Sequence, residues 1–262
     1  MKRRIFSSIL TVFLLLSVFT FGLATEVAAA TTWEYTSLGD SLGTGFGAWY
    51  GYVPRYRDHM GKDTGNNGNL TNLSQNGWTS SDLLYALQTD STFRSSVASA
   101  DVVTWDIGGN DLREARNKYL NGTCGGTDNE DCLRETVATF KNNWFQIVGI
   151  IQDLRNGQTT NYKTINVYNP YVNEDKDALS YDGTVTRFEV FKPYLDQINQ
   201  YIDAQQTLGY EMADVYTAFN GPNHNIDPEQ KGYIWIDGLH PNDTGHKVIA
   251  EELRRLGYDP LR

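Results

Sequence analysis

Side chains that could do chemistry together fall in four short polar clusters: Gly39-Asp40-Ser41-Leu42-Gly43-Thr44-Gly45, Asn76-Gly77-Trp78-Thr79-Ser80, Gly108-Gly109-Asn110-Asp111 and Asp237-Gly238-Leu239-His240-Pro241. A serine hydroxyl is a poor nucleophile until a base removes its proton, and a neutral imidazole suits that task near neutral pH. Ser41 and His240 are therefore a candidate nucleophile and base. Asp237 stands three residues before His240, close enough to take a hydrogen bond from the far ring nitrogen, fix the tautomer and stabilise the imidazolium formed during attack. Taken singly each cluster reads as a turn, because glycine, asparagine and aspartate punctuate ordinary loops. Together, and in this order, they hold the parts that acyl transfer needs.

The elements that must position these residues are legible from periodicity. Short β-like runs at Trp33 to Leu38, Leu70 to Ser74, Asp101 to Ile107, Thr164 to Tyr168 and Glu211 to Tyr216 alternate with helical patterns at Ser80 to Leu87, Leu133 to Leu154, Phe191 to Gln206 and Asn242 to Leu256. That alternation predicts parallel βαβ construction: a three-layer α/β/α sandwich around a central, mostly parallel five-stranded sheet. Each polar cluster then falls at a strand end or just before the last helix, where open α/β sheets bind ligands. Tyr171 to Thr186 is polar and aperiodic and reads as a long loop beside that face.

With Ser41 in GDSLGTG, Gly77 in NLSQNGWTS, Asn110 in IGGND and His240 in DGLHP, the chain resembles the SGNH hydrolases, also called the GDSL lipase and esterase family, over most of its length. HPNDTGHKVIAEEL is similar to the family's carboxyl-terminal helix, and Asp237 matches its triad aspartate. The resemblance implies the SGNH, flavodoxin-like fold and hydrolysis of carboxylic esters through an acyl-serine, without a cofactor. It also implies an oxyanion hole made by the backbone N–H groups of Ser41 and Gly77 and the side-chain amide of Asn110. Glycine suits the second position because the absent Cβ opens the main chain to substrate. Asparagine suits the third because a neutral amide donates without titrating. The Gly-x-Ser-x-Gly elbow of α/β-hydrolases is missing and the serine comes early, so the same triad chemistry sits on another scaffold.

Other candidates have plainer readings. His59, His224 and His246 match no family block and read as surface or hydrogen-bonded histidines. Asp40 and Asp111 read as turn and cap residues. Asp106 ends an otherwise apolar strand, where burial demands a partner that the sequence does not name. Trp49, Tyr50 and Tyr52 follow the nucleophile loop and Trp78 adjoins Gly77, which makes them candidate substrate contacts. Cys124 and Cys132, in a polar glycine-rich segment, suit a disulfide-closed loop; two cysteines with no neighbouring histidine do not fill a zinc shell.

Residues 1–30 read as a secretory signal peptide: Lys2, Arg3 and Arg4, an apolar stretch from Ile5 to about Leu23, then Ala28-Ala29-Ala30. An uncleaved anchor is the alternative, since the stretch approaches the length that spans a bilayer. The expectation is a single hydrolase domain over residues 31–262, secreted, monomeric and without stable membrane insertion after cleavage. The formal net charge of −10 becomes −12 once residues 1–30, with three cations and Glu26, are removed. Such a surface repels phosphate backbones, so nucleic acid is not expected as a partner. A small-molecule, lipid or acylated-carbohydrate ester is. Two further classes stay open: a metal-dependent phosphoesterase using Asp40, Asn110, Asp111, Asp237 and His240 as hard ligands, and a non-catalytic binding module.

Overall fold

The computed structural model describes residues 32–66 and 68–261; the segment read as a signal peptide lies outside them. Five strands, β1 (Glu34–Gly39), β2 (Asn69–Asn72), β3 (Val102–Asp106), β4 (Asn161–Ile165) and β5 (Glu211–Ala213), pair in parallel in the order β2-β1-β3-β4-β5. Among the described residues ten α-helices accompany them: α1 (Ser41–Thr44), α2 (Tyr52–Thr64), α3 (Ser80–Thr89), α4 (Ser91–Ser99), α5 (Gly109–Leu120), α6 (Asp131–Arg155), α7 (Val172–Lys176), α8 (Arg187–Ala204), α9 (Val215–Asn220) and α10 (Asp243–Arg255).

The two faces of the sheet make two cores, as the two-residue strand period requires. Leu38, Val103 and Trp105 face α3, α4, α6 and α8, where Phe140, Trp144, Ile147 and Ile151 of α6 recur at helical spacing. Tyr35, Val102 and Ile165 face α2, α9 and α10, with Tyr56, Met60, Ile249 and Leu253. The expected three-layer sandwich is therefore present. Its strand order reverses direction between β1 and β3, so a crevice opens beyond their carboxyl ends. The Ser41 and Asn110 clusters emerge there.

Several boundaries differ from the expectation. β4 starts at Asn161, three residues early, because backbone pairing with β3 accepts the polar run Asn-Tyr-Lys-Thr; Lys163 is buried there, with its ammonium paired to Glu211 on the edge strand. α8 starts at Arg187, where Thr186 and Glu189 form a capping box. α2 was not expected from its polar, glycine-containing sequence, yet Pro54 falls in its first turn, where the missing N–H costs nothing. The segment read as a loop from Tyr171 contains α7. Cys124 and Cys132 are disulfide-bonded and sit in a small apolar cluster with Leu133, Tyr119 and Phe191.

Candidate active site

Ser41 is the first residue of α1, directly beyond β1. Asp40 caps that helix, its Oδ1 accepting the Leu42 N–H at 2.9 Å, while the Asp40 N–H donates to Asp106 Oδ1 at 2.8 Å. A Cβ on Gly39 would land 2.2 Å from Asp106 Oδ1, so only glycine lets β1 and β3 close at this point. Tyr52 Oη donates to the other oxygen of Asp106. The partner that Asp106 requires is thus the nucleophile loop itself. Burial first, then the neighbouring Asp40 charge, raise the Asp106 carboxyl well above the usual range, and burial pushes Asp40 up to about 6.

From the other end of the chain, the His240 imidazole reaches Ser41: Nε2 lies 2.8 Å from Oγ. Its Nδ1 lies 2.6 Å from Asp237 Oδ2, and Asp237 Oδ1 accepts the N–H groups of Leu239 and His240, both at 3.0 Å. Partial burial works to raise the Asp237 carboxyl, but these hydrogen bonds outweigh it and leave the group below its ordinary range. Asp237 is held as an acceptor. The loop that carries the pair is closed on itself, with the Trp235 N–H on His240 O at 2.8 Å, and the Phe46 ring covers the imidazole at a centroid distance of 4.6 Å.

The amino end of α10 joins the two ends of the chain. Asp243 accepts the N–H groups of Trp49 and Tyr50 and pairs with Arg55 at 2.9 Å. His246, fully buried, accepts the Tyr52 N–H on Nδ1 at 3.2 Å and has Nε2 3.3 Å from Phe46 O. Burial pushes its pKa down to about 4, so the ring is neutral and Nε2 is the donor to that carbonyl. His246 is a clamp for the nucleophile loop. Of the other histidines, His59 faces Glu251 and His224 stacks on Tyr216.

Asn110, buried in the first turn of α5, donates from Nδ2 to Trp78 O at 2.9 Å and, at a longer 3.3 Å, to Asp40 Oδ2. Asp111 accepts the Ser80 N–H and hydroxyl at 2.9 and 2.5 Å, tying α3 to α5, while Asp40 caps α1; both do the capping work expected of them. Gly77 is exposed, with a φ of 83°, and nothing lies within 4 Å of where its Cβ would point. Positive φ is what demands glycine there.

A narrow, largely apolar cavity of about 100 Å³ runs from Ser41, Asn110 and His240 along Leu112, Val167, Tyr171, Phe191 and Leu195. None of the aromatic residues singled out near the motifs lines it: Tyr52 is buried under Asp106, Trp78 stacks on Phe93, Tyr50 donates to Asp58, and Trp49 is 98% exposed. They are candidate contacts because they neighbour the motifs in sequence; α1 and the turn at Gly77 direct their side chains away from this cavity. The wall comes instead from α5, α7 and α8. Arg116 forms a buried ion pair with Asp175 at 2.6 Å, a second bond to Glu174, and a contact with the Tyr171 ring at 4.0 Å. The one sequence signal for this wall was the three-residue spacing of Asn110, Arg113 and Arg116, which puts them on one helix face. Among the described residues no group of three or more His, Cys, Asp or Glu side chains is arranged to hold a metal ion.

Residues 35–253 match the model of the GDSL-like lipase/acylhydrolase family. The chain belongs to that family. It is 26% identical over 236 residues to spore germination lipase LipC of Bacillus licheniformis, covering 88% of this chain and 99% of that one. Among solved structures, a lipase from the goat rumen metagenome superposes with a TM-score of 0.73 at 25% identity, covering 88% of this chain and all of that one. An acetylxylan esterase of Geobacillus stearothermophilus shares the fold, with a TM-score of 0.57 at 15% identity over 87% of this chain and 94% of that one. As a GDSL hydrolase this chain is an enzyme acting on ester bonds. No helix among the described residues is long and apolar enough to cross a membrane.

Proposed function

We propose that this GDSL hydrolase is a secreted serine esterase in which Ser41 is the nucleophile, His240 the general base and Asp237 its orienting partner. The observation that carries the reading is the unbroken chain of hydrogen bonds from Asp237 through His240 to Ser41 Oγ at the mouth of an apolar cavity. Ser41 Oγ attacks the acyl carbon as His240 Nε2 takes its proton. The charge on the carbonyl oxygen is met by the N–H groups of Ser41 and Gly77 and by the Asn110 amide, whose long contact to Asp40 leaves a donor that an oxyanion can capture. Collapse breaks the ester C–O bond, the imidazolium protonates the departing alkoxide, and an acyl-serine remains. Water, deprotonated by His240, then releases the carboxylate.

The apolar cavity supports an acyl chain longer than acetyl and therefore a lipase or general carboxylesterase. A polysaccharide acetylesterase is the second reading, favoured by the fully exposed Trp49 ring, a flat surface of the kind that stacks on sugars. Secretion rests on the basic, apolar and small-residue order of residues 1–30. Ser41→Ala is expected to lower turnover of a medium-chain p-nitrophenyl ester by at least about 10⁴ with an unchanged Tm. Retained turnover would remove Ser41 from the mechanism. Faster hydrolysis of acetylated xylan than of medium-chain esters would select the second reading.

A further inference from the structure

Three turns of α5 present Asn110, Arg113 and Arg116 to the same cavity, and the two guanidiniums have opposite circumstances. Arg116 is fully engaged by Asp175, Glu174 and the Tyr171 ring. Arg113 is not. Its Nε is buried without a hydrogen-bond partner, and among the described residues no carboxylate lies within ion-pair distance of it. A desolvated, unpaired N–H on a cation is costly, and native structures keep few of them. In a chain with ten more anionic than cationic residues, a nearby carboxylate would have been an easy partner to supply.

The carboxyls that share the wall do not take its donors. Asp175 is spent on Arg116, and Asp40 uses its oxygens on the Leu42 N–H and the Asn110 amide. Asp106 accepts from Asp40 and Tyr52. The Arg113 charge nevertheless reaches the reacting end, since it acts to lower the pKa of Asp40, next to the nucleophile, and of Tyr171 across the cavity. A planar fork of donors is the group that matches a phosphate or a carboxylate.

We propose that Arg113 binds an anionic oxygen carried by the ester substrate, so that this hydrolase prefers charged esters, with a phosphate on the alcohol side or a free carboxylate on the acyl side, over neutral ones. The inference rests on the triad reading above and gives that site its substrate class.

Two pairs of substrates test it on the full chain: a 1-acylglycerol against the same acylglycerol carrying a 3-phosphate, and p-nitrophenyl valerate against a p-nitrophenyl half-ester of glutaric acid. The wild-type enzyme is expected to favour at least one charged member over its neutral counterpart in kcat/KM. Arg113→Gln is expected to lower that charged-to-neutral ratio by roughly tenfold or more, mainly through KM, as loss of a charged hydrogen bond does. Arg113→Lys should keep part of it. The phosphate and carboxylate arms tell which source of anion fits. Equal use of charged and neutral esters by the wild type, or a ratio unmoved in Arg113→Gln, overturns the proposal while leaving the triad intact. Loss of all hydrolysis in a folded Arg113→Gln, with Arg113→Lys no better, also overturns it, since a specificity contact would spare the neutral ester more than the charged one. If Ser41→Ala hydrolyses every ester as well as the wild type, the underlying triad reading fails instead.

Discussion

The two sides of the site are held by different kinds of force. On the triad side, Ser41 opens the short helix α1 and Asp237 and His240 share one loop, all pinned by individual polar contacts: Asp106 on the Asp40 N–H, Asp243 on two backbone N–H groups, and His246 between Tyr52 and Phe46. On the cavity side, α5, α7 and α8 are held by packed apolar and aromatic side chains, a buried Arg116–Asp175 pair, and the disulfide cluster behind Leu133 and Phe191. Directional contacts fix reacting atoms to the tenths of an ångström that proton transfer requires, whereas a cavity needs only a wall that does not collapse. Chemistry and binding can then be damaged separately.

Asn110→Ala offers the sharpest test of that separation. It is expected to lower kcat by about 10² to 10³, the usual consequence of losing one oxyanion donor. The Tm should drop by only a few degrees, the cost of one bond to Trp78 O. A normal rate would take Asn110 out of the hole.

Arg116→Met attacks the other side. It strands Asp175, whose side chain is only 1% exposed, so a loss of about 3 kcal/mol is expected, read as a Tm lower by roughly 10 °C. The double variant Arg116→Met, Asp175→Leu should recover most of it, because replacing both partners removes the buried charge. If the double variant is as unstable as the single one, the wall depends on the ion pair itself rather than on its packing.

The smallest effect concerns pH. Asp40 and Asp106 bind protons more tightly in the folded protein than unfolded, so their contribution to stability is full below the ordinary carboxylate range and declines above it, that of Asp40 being lost as pH rises through about 6. Asp106→Asn removes one of the two titrating groups. Its Tm, measured against wild type from pH 4 to pH 7, should therefore improve in relative terms as pH rises. A difference that is flat across that range would show that the pair does not titrate there.

Much of the triad side was legible because its determinants are local. Asp237 and His240 stand in one turn, Asp40 and Ser41 in another, and the residue types alone state which can be base, nucleophile and cap. The layered α/β architecture was legible for a similar reason, since periods of two and of 3.6 residues reflect which faces must be buried. The wall was not. Tyr171 and Asp175 come from a segment with no period, and Phe191 looked like an ordinary helical apolar residue. Trp49, Tyr50 and Trp78 adjoin the motifs in sequence, but their side chains lie outside that cavity.

The sequence by itself determined the layered fold, the Ser41 and His240 loops as the candidate site, and the cysteine pair, because short-range spacing and side-chain chemistry suffice for each. Only the tertiary structure decided that Asp106 and Tyr52 anchor the Ser41 loop, that His246 is a buried neutral clamp, and that Arg116 is paired with Asp175 while the Arg113 Nε is left without a partner. Those assignments depend on which groups some 50 to 200 residues apart compete for the same few buried hydrogen bonds. No local pattern encodes the result of that competition, because it is settled only when the sheet brings the groups together and excludes water.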